Sequence, residues 1–142
     1  MNALRAAARA ALCLSSLCLS FDATAADACG SALTGPTRTI DGQRYVVVFR
    51  TIPEPVKVGT HFAVDFAVCP RAAAEAPSAV RVDANMPAHR HGMNYRPVVT
   101  AKSGGLFRAD GLLFHMPGRW DLTFDVDGGG RTERLTGTLQ LP

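Results

Sequence analysis

Residues 120–126 read Trp120-Asp121-Leu122-Thr123-Phe124-Asp125-Val126, with apolar and polar side chains in strict alternation. Because successive side chains of a β-strand point to opposite faces, this pattern predicts a strand with one buried and one polar face. Turn signals flank it, since Pro117-Gly118 comes before and a run of three glycines after Asp127 comes behind. A last strand is predicted next, with an inner face made of Glu133, Leu135, Gly137, Leu139 and Leu141.

Working outward, five more segments carry strand signals. The seven predicted strands are residues 44–51, 61–69, 79–86, 97–102, 106–116, 120–126 and 133–141. In residues 61–69 the apolar face is Phe62, Val64, Phe66 and Val68, and the face with His61 and Asp65 is expected in solvent. Short strands, frequent turns and no amphipathic helix predict an all-β fold, an antiparallel immunoglobulin-like β-sandwich of about seven strands. Its expected core includes Trp120, Phe62, Phe66, Val82, Leu122 and Phe124.

The first 25 residues have the plan of a secretory signal peptide. A basic start with Arg5 and Arg9 leads into an apolar run of about ten residues, and Ala23-Thr24-Ala25 offers a small-x-small cleavage site. The run is too short to cross a bilayer as a helix, and a membrane anchor is the alternative. We therefore expect an exported, periplasmic protein in which residues 26–142 form one domain, with no transmembrane segment once the leader is removed.

Charge and cysteine usage narrow the function classes. Removal of the leader lowers the formal net charge from +3 to +2, and the arginines are scattered, so nucleic acid is not an expected partner.

Two cysteines, Cys29 and Cys69, remain after the leader, and in an oxidising compartment such a pair first predicts a disulfide. Lipid anchoring at Cys29 is an alternative, although residues 26–28 make a poor lipobox. The other alternative is that Cys69 is a free thiol or a metal ligand.

One loop concentrates side chains that bind soft metals. The chain has four histidines and four methionines, and residues 86–93 contain Met86, His89, His91 and Met93. A second pair, His115-Met116, follows later. Thioethers favour Cu(I), whereas imidazole suits Cu(I), Cu(II) and Zn(II). The predicted metal-ligating residues are therefore Met86, His89, His91, Met93, His115 and Met116, with a copper ion, Cu(I) or Cu(II), as the cofactor.

The geometry expected of this loop leaves alternatives open. If the loop is extended, His89, His91 and Met93 share one side, and Pro87 and Gly92 allow bends that bring Met86 in. On a regular strand His115 and Met116 face opposite ways, so at most one of them points at the loop. Each residue also has a structural interpretation, because a Met before a turn is usually a core side chain and surface histidines are usually solvated.

These residues resemble a known family. The sequence Met-Pro-x-His-x-His-Gly-Met, followed by Gly-Leu-Leu-Phe-His-Met-Pro-Gly-Arg-Trp-Asp-Leu and a terminal strand, is similar to the YtkA-like domain family over residues 51–141. That resemblance implies a small exported or lipid-anchored immunoglobulin-like domain, often found near copper-handling and respiratory-oxidase assembly systems. It further implies His91, Met93 and Met116 as metal-side positions and Trp120 as a core residue. His89 stands where such domains often carry Met or another residue, which leaves the oxidation state of the metal open.

Three classes of function follow from the sequence. The first is an exported copper-binding protein for copper storage, delivery or homeostasis, with an exported copper donor or acceptor as its partner. The second is a non-catalytic interaction module that binds a partner protein through a sheet edge or loops and holds no metal. The third is an enzyme, which we do not expect, because no serine of residues 26–142 has a nucleophile-elbow setting and no carboxylate pair lies beside a His in sequence.

Overall fold

A computed structural model describes residues 28–142, which fold into nine strands and two short 3-10 helices. The strands are β1 (Arg38–Asp41), β2 (Tyr45–Ile52), β3 (His61–Pro70), β4 (Ala79–Met86), β5 (His91–Gly92), β6 (Val98–Ala101), β7 (Leu106–Leu113), β8 (Gly118–Gly128) and β9 (Arg131–Leu141). The 3-10 helices are Pro87–His89 and Ser103–Gly105. The predicted leader and the residues just after it lie outside the described part. Within that part, no helix is long and apolar enough to cross a membrane.

The strands form two antiparallel sheets that enclose one core. The first sheet has the order β1-β2-β3-β7-β6 and the second the order β5-β4-β8-β9. Trp120, Phe66, Phe124 and Leu122 are fully buried between the sheets, and Phe62 and Val82 are nearly so. The predicted β-sandwich and its predicted core are thus confirmed, and the face of β8 is the one that its alternation indicates.

Two strands were missing from the predicted seven, and both are short. β1 covers four residues and pairs with β2, and β5 covers two residues and pairs with the end of β4. β1 alternates between half-buried and exposed side chains, but over only four residues, and β5 is shorter still. Runs this short do not give a recognisable period-two signal in the sequence.

The outer face of β3 is not solvent-exposed as its sequence suggested. Ala63 and Ala67 are buried, and Ala67 packs with Cys29, Val46 and Val48 in a small second cluster. Cys29 is bonded to Cys69, which brings residues 28–33 over the outer side of the first sheet. The predicted disulfide therefore adds a third thin layer that the period-two pattern of β3 cannot reveal.

The disulfide gives a first testable prediction. The bond joins residues 40 apart, and closing a loop of that length stabilises a domain by about 4 kcal/mol in the chain-entropy model. Non-reduced, denatured protein comprising residues 26–142 should show no free thiol, and its melting temperature should fall after reduction. Two titratable thiols before reduction would show that the bond does not form. A Cys29→Ser, Cys69→Ser variant should match the melting temperature of the reduced protein.

Candidate metal centre

The His/Met loop folds back on the strand that precedes it. Pro87 ends β4, the chain makes one 3-10 turn, and Arg90 takes the left-handed conformation with a φ of 55°. The chain then returns as β5, so that His91 lies opposite Met86 and Gly92 opposite Asn85. The loop is thus a tight reversal instead of an extended segment. The prediction that His89, His91 and Met93 share one side was made for an extended loop, so strand alternation does not apply between His89 and His91.

The register of β5 puts three predicted residues on one face. Met86 and His91 are direct cross-strand partners, and the N–H of Met93 donates to the carbonyl of Ala84 at 3.1 Å. Opposite residues in an antiparallel pair project from the same face of the sheet. Because Met86 points into the core, His91 and Met93 also face the inside, and both are half-buried.

Met86 is a core side chain as well as a neighbour of His91. Only 2% of it is exposed, and its methyl group lies against Gly118 so closely that a Cβ added there would be 2.7 Å away. Gly118 also has a φ of +113°, a conformation that disfavours any residue with a Cβ at this position. Met86 is thus a core residue, as a Met before a turn usually is. It is also the cross-strand partner of His91.

His115 and Met116 leave the strand on which they were predicted. β7 ends at Leu113 because its partner β3 begins at His61, directly opposite. The carbonyl of Phe114 then accepts a hydrogen bond from the N–H of Gly59 at 2.8 Å. His115 and Met116 lie beyond the end of β7, so the alternation that placed them on opposite faces does not apply to them. Both are half-buried.

The main feature of this end of the sandwich is a pair of facing imidazoles. The ring centroids of His91 and His115 are 4.9 Å apart, with a tilt of 31° between the planes. The ring of His89, which is exposed, lies 5.7 Å from that of His91. His91 thus neighbours both His89 and His115, which come from two separate loops, but within residues 28–142 the three imidazoles do not converge on one metal position.

The nitrogens of this pair are poorly satisfied by protein groups. Nδ1 of His115 is buried and has no hydrogen-bond partner among residues 28–142, and such atoms carry a desolvation cost that a bound ion can remove. Nδ1 of His91 lies 3.2 Å from the carbonyl oxygen of Gly92. In the tautomer that donates this bond, Nε2 of His91 keeps its lone pair for a ligand.

The described residues contain no ready-made site with three ligands of the commonest metal-binding types. Within residues 28–142, no three side chains of the His, Cys, Asp and Glu types converge on one metal position. The aspartates on the outer face of β8 bind arginines instead, as Asp125 does with Arg134 at 2.7 Å. Those hydrogen bonds from Arg134 hold the pKa of Asp125 below its usual value. The potential ligands seen next to His91 are the imidazoles of His89 and His115 and the thioether of Met86, and these donor types suit copper.

Trp120 is the neighbour of the site that the sequence did not reveal. Its ring lies 5.9 Å from that of His91 and 5.4 Å from that of His115, edge to face in both cases. Its Nε1 donates to the carbonyl of Met116 at 3.0 Å. The spacing Met116-Pro117-Gly118-x-Trp120 was the available signal, but it indicated only a core residue.

His61 lies outside the imidazole cluster. It is exposed at the start of β3, and its ring packs edge to face on Tyr95 at 5.0 Å. A separate open cleft, with a volume of about 920 Å³, follows the free edge of β4 and is bordered by Met93 alone among the six predicted residues. The imidazole pair is thus distinct from this cleft.

Comparisons with known proteins add little to this picture. No protein-family model matches the chain, and no curated protein matches it. A solved structure, a DUF4426 family protein from Pseudomonas aeruginosa PAO1, is similar to it over 74% of this chain and 94% of that one. The identity is 9% and the TM-score 0.47, values at which the likeness carries no argument about family or activity.

Proposed function

We propose that this protein is an exported copper-binding protein that stores copper or passes it to another exported protein. The observation that carries the proposal is the facing pair of His91 and His115, in which a buried imidazole nitrogen of His115 has no hydrogen-bond partner in the described part of the chain. Membership of the YtkA-like family, export through the predicted leader and a periplasmic location belong to the same proposal, and they rest on the sequence motifs.

In this proposal His91 and His115 supply the nitrogen ligands. Met86, Met93 and Met116 supply the thioethers, since Met86 and Met93 face inward beside His91 and Met116 follows His115 directly. Imidazole and thioether together accept both oxidation states of copper, so the balance between His and Met ligands decides which state binds more tightly.

The exposure of the ligands favours exchange over permanent storage. His91, His115, Met93 and Met116 are half-buried, and His89 is exposed 5.7 Å from His91. A partner protein can reach His89 first, and copper can then move between it and the inner ligands. We infer that His89 is the ligand through which copper enters and leaves.

The pH dependence of binding tests the ligand types. Protons compete with a metal for imidazole nitrogen, whereas a thioether does not titrate. Copper affinity, measured by competition with a chromophoric chelator, should fall as the pH is lowered from about 7.5 to about 5, and Cu(II) should be affected more than Cu(I). An affinity for both states that is unchanged over this range would contradict ligation by His91 and His115.

A second function is favoured by the free edge of β4. Ala84 directs its carbonyl away from β8 towards Met93, so by alternation the backbone groups of Val80 and Val82 also face away from β8. Within residues 28–142, no strand pairs with that side of β4 before Asn85. Such an edge accepts an extended peptide, and an interaction module is the function to prefer if copper does not bind.

A further inference from the structure

We propose that Trp120 is a positioning residue of the metal centre, which holds His115 in place for His91. This inference rests on the proposed copper function for its meaning, although its geometry does not require a metal. Trp120 is fully buried near the start of β8, the strand that follows the loop carrying His115. It contacts the residues on both sides of His115 in the chain.

The first contact is a hydrogen bond to the residue after His115. Nε1 of Trp120 donates to the carbonyl of Met116 at 3.0 Å. The indole N–H is a donor only, so it needs such an acceptor when the ring is buried. β7 has already ended at Leu113, so no sheet ladder holds Met116. The indole therefore replaces a strand partner at this point.

The second contact is a stack on the residue before His115. The rings of Trp120 and Phe114 are nearly parallel, with 9° between the planes and 4.5 Å between the centroids. Phe114 is itself fully buried. The stack holds Phe114 and the hydrogen bond holds the carbonyl of Met116, so the backbone of His115 between them has little conformational freedom.

The third contact is with the imidazoles themselves. The indole packs edge to face against both His115 and His91, at 5.4 and 5.9 Å. One rigid ring system thus packs on both members of the pair. Residues that orient metal ligands in this way commonly change metal affinity by about 10- to 100-fold when they are replaced.

The test replaces the indole by rings that lack the N–H. Trp120→Phe keeps an aromatic ring to stack on Phe114, and benzothienylalanine at position 120 keeps the full shape of Trp without its donor. Phe124→Leu is the matched control, because Phe124 is equally buried on the same strand and packs on Phe49 and Phe66, away from the histidines. All variants are prepared as the full exported chain and checked for folding by circular dichroism.

Copper affinity is measured by chelator competition below the melting temperature of each variant. Trp120→Phe and the benzothienyl variant should bind copper about 10- to 100-fold more weakly, whereas Phe124→Leu should bind it as wild type does. In a His115→Ala background, Trp120→Phe should cause a smaller further loss than it does in wild type, because most of its effect passes through His115. Wild-type affinity in both ring variants, or an equal loss in the His115→Ala background, would overturn the proposal.

A metal-free measurement separates this inference from the copper function. The nuclear Overhauser effect between the His91 and His115 rings should be present in metal-free wild type and Phe124→Leu, and weak or absent in both ring variants. If the effect persists in the ring variants, Trp120 does not position His115. If it is lost but wild type binds no copper, the copper proposal fails while the positioning role stands.

Discussion

Trp120→Ala is expected to unfold the domain or to leave it barely stable. The side chain is fully buried between the sheets, stacks on Phe114 and donates a hydrogen bond to the Met116 carbonyl. The variant therefore loses buried apolar surface, contains a cavity and leaves the Met116 carbonyl without this donor. Replacing a buried large aromatic residue by Ala costs about 3–5 kcal/mol, which is a large part of the roughly 5–15 kcal/mol that stabilises a typical domain. Denaturant unfolding followed by circular dichroism measures the loss.

Thr136→Ala on the neighbouring strand β9 is the control for this loss. Thr136 is exposed, and surface substitutions of this kind usually change stability by less than about 0.5 kcal/mol. A Trp120→Ala variant as stable as wild type would mean that the core does not contain this ring. The contacts from Trp120 to His91 and His115 would then be wrong as well.

The His91→Ala, Met93→Ala double variant is expected to lose copper binding while it keeps the fold. His91 is the central member of the imidazole cluster, lying next to both His89 and His115. Both replaced side chains belong to a two-residue strand and its exit, which few core contacts support. Because Met93 packs partly against the core, a modest decrease in melting temperature should accompany the loss of copper.

His61→Ala is the matched control for the double variant. His61 is exposed and packs on Tyr95 rather than on the imidazole pair, so copper binding should remain at the wild-type level. Chelator competition compares the two variants under identical conditions. Equal copper affinity in the double variant and in wild type would place the site elsewhere, and it would favour the interaction module.

The long strands were predictable because their side chains alternate over many residues. The stretch from Trp120 to Val126 lies within β8, and Val80, Val82, Ala84 and Met86 form the buried face of β4 as their spacing predicts. Period-two alternation reports burial on one face, which is the main stabilising feature of a sandwich strand. The fold class followed from these strands alone.

The arrangement around the histidines depends on contacts that alternation does not encode. The left-handed Arg90 reverses the chain so that His91 pairs with Met86, and the early end of β7 releases His115 from its strand. Both events depend on where a neighbouring strand starts or stops. The candidate ligand side chains could therefore be predicted from the sequence. The pairing of His91 with His115 and the role of Trp120 required the three-dimensional structure.

The central claim is that copper binds beside His91 and His115, and the emission of Trp120 tests it most directly. Trp120 is the single tryptophan of the chain and lies within 6 Å of both imidazoles, centroid to centroid. Titration of the protein comprising residues 26–142 with Cu(II) should quench this emission, with saturation at one copper per chain, and the His91→Ala, Met93→Ala variant should show no saturable quenching. Unchanged emission in the wild-type protein, or the same saturable quenching in the double variant, would contradict the claim.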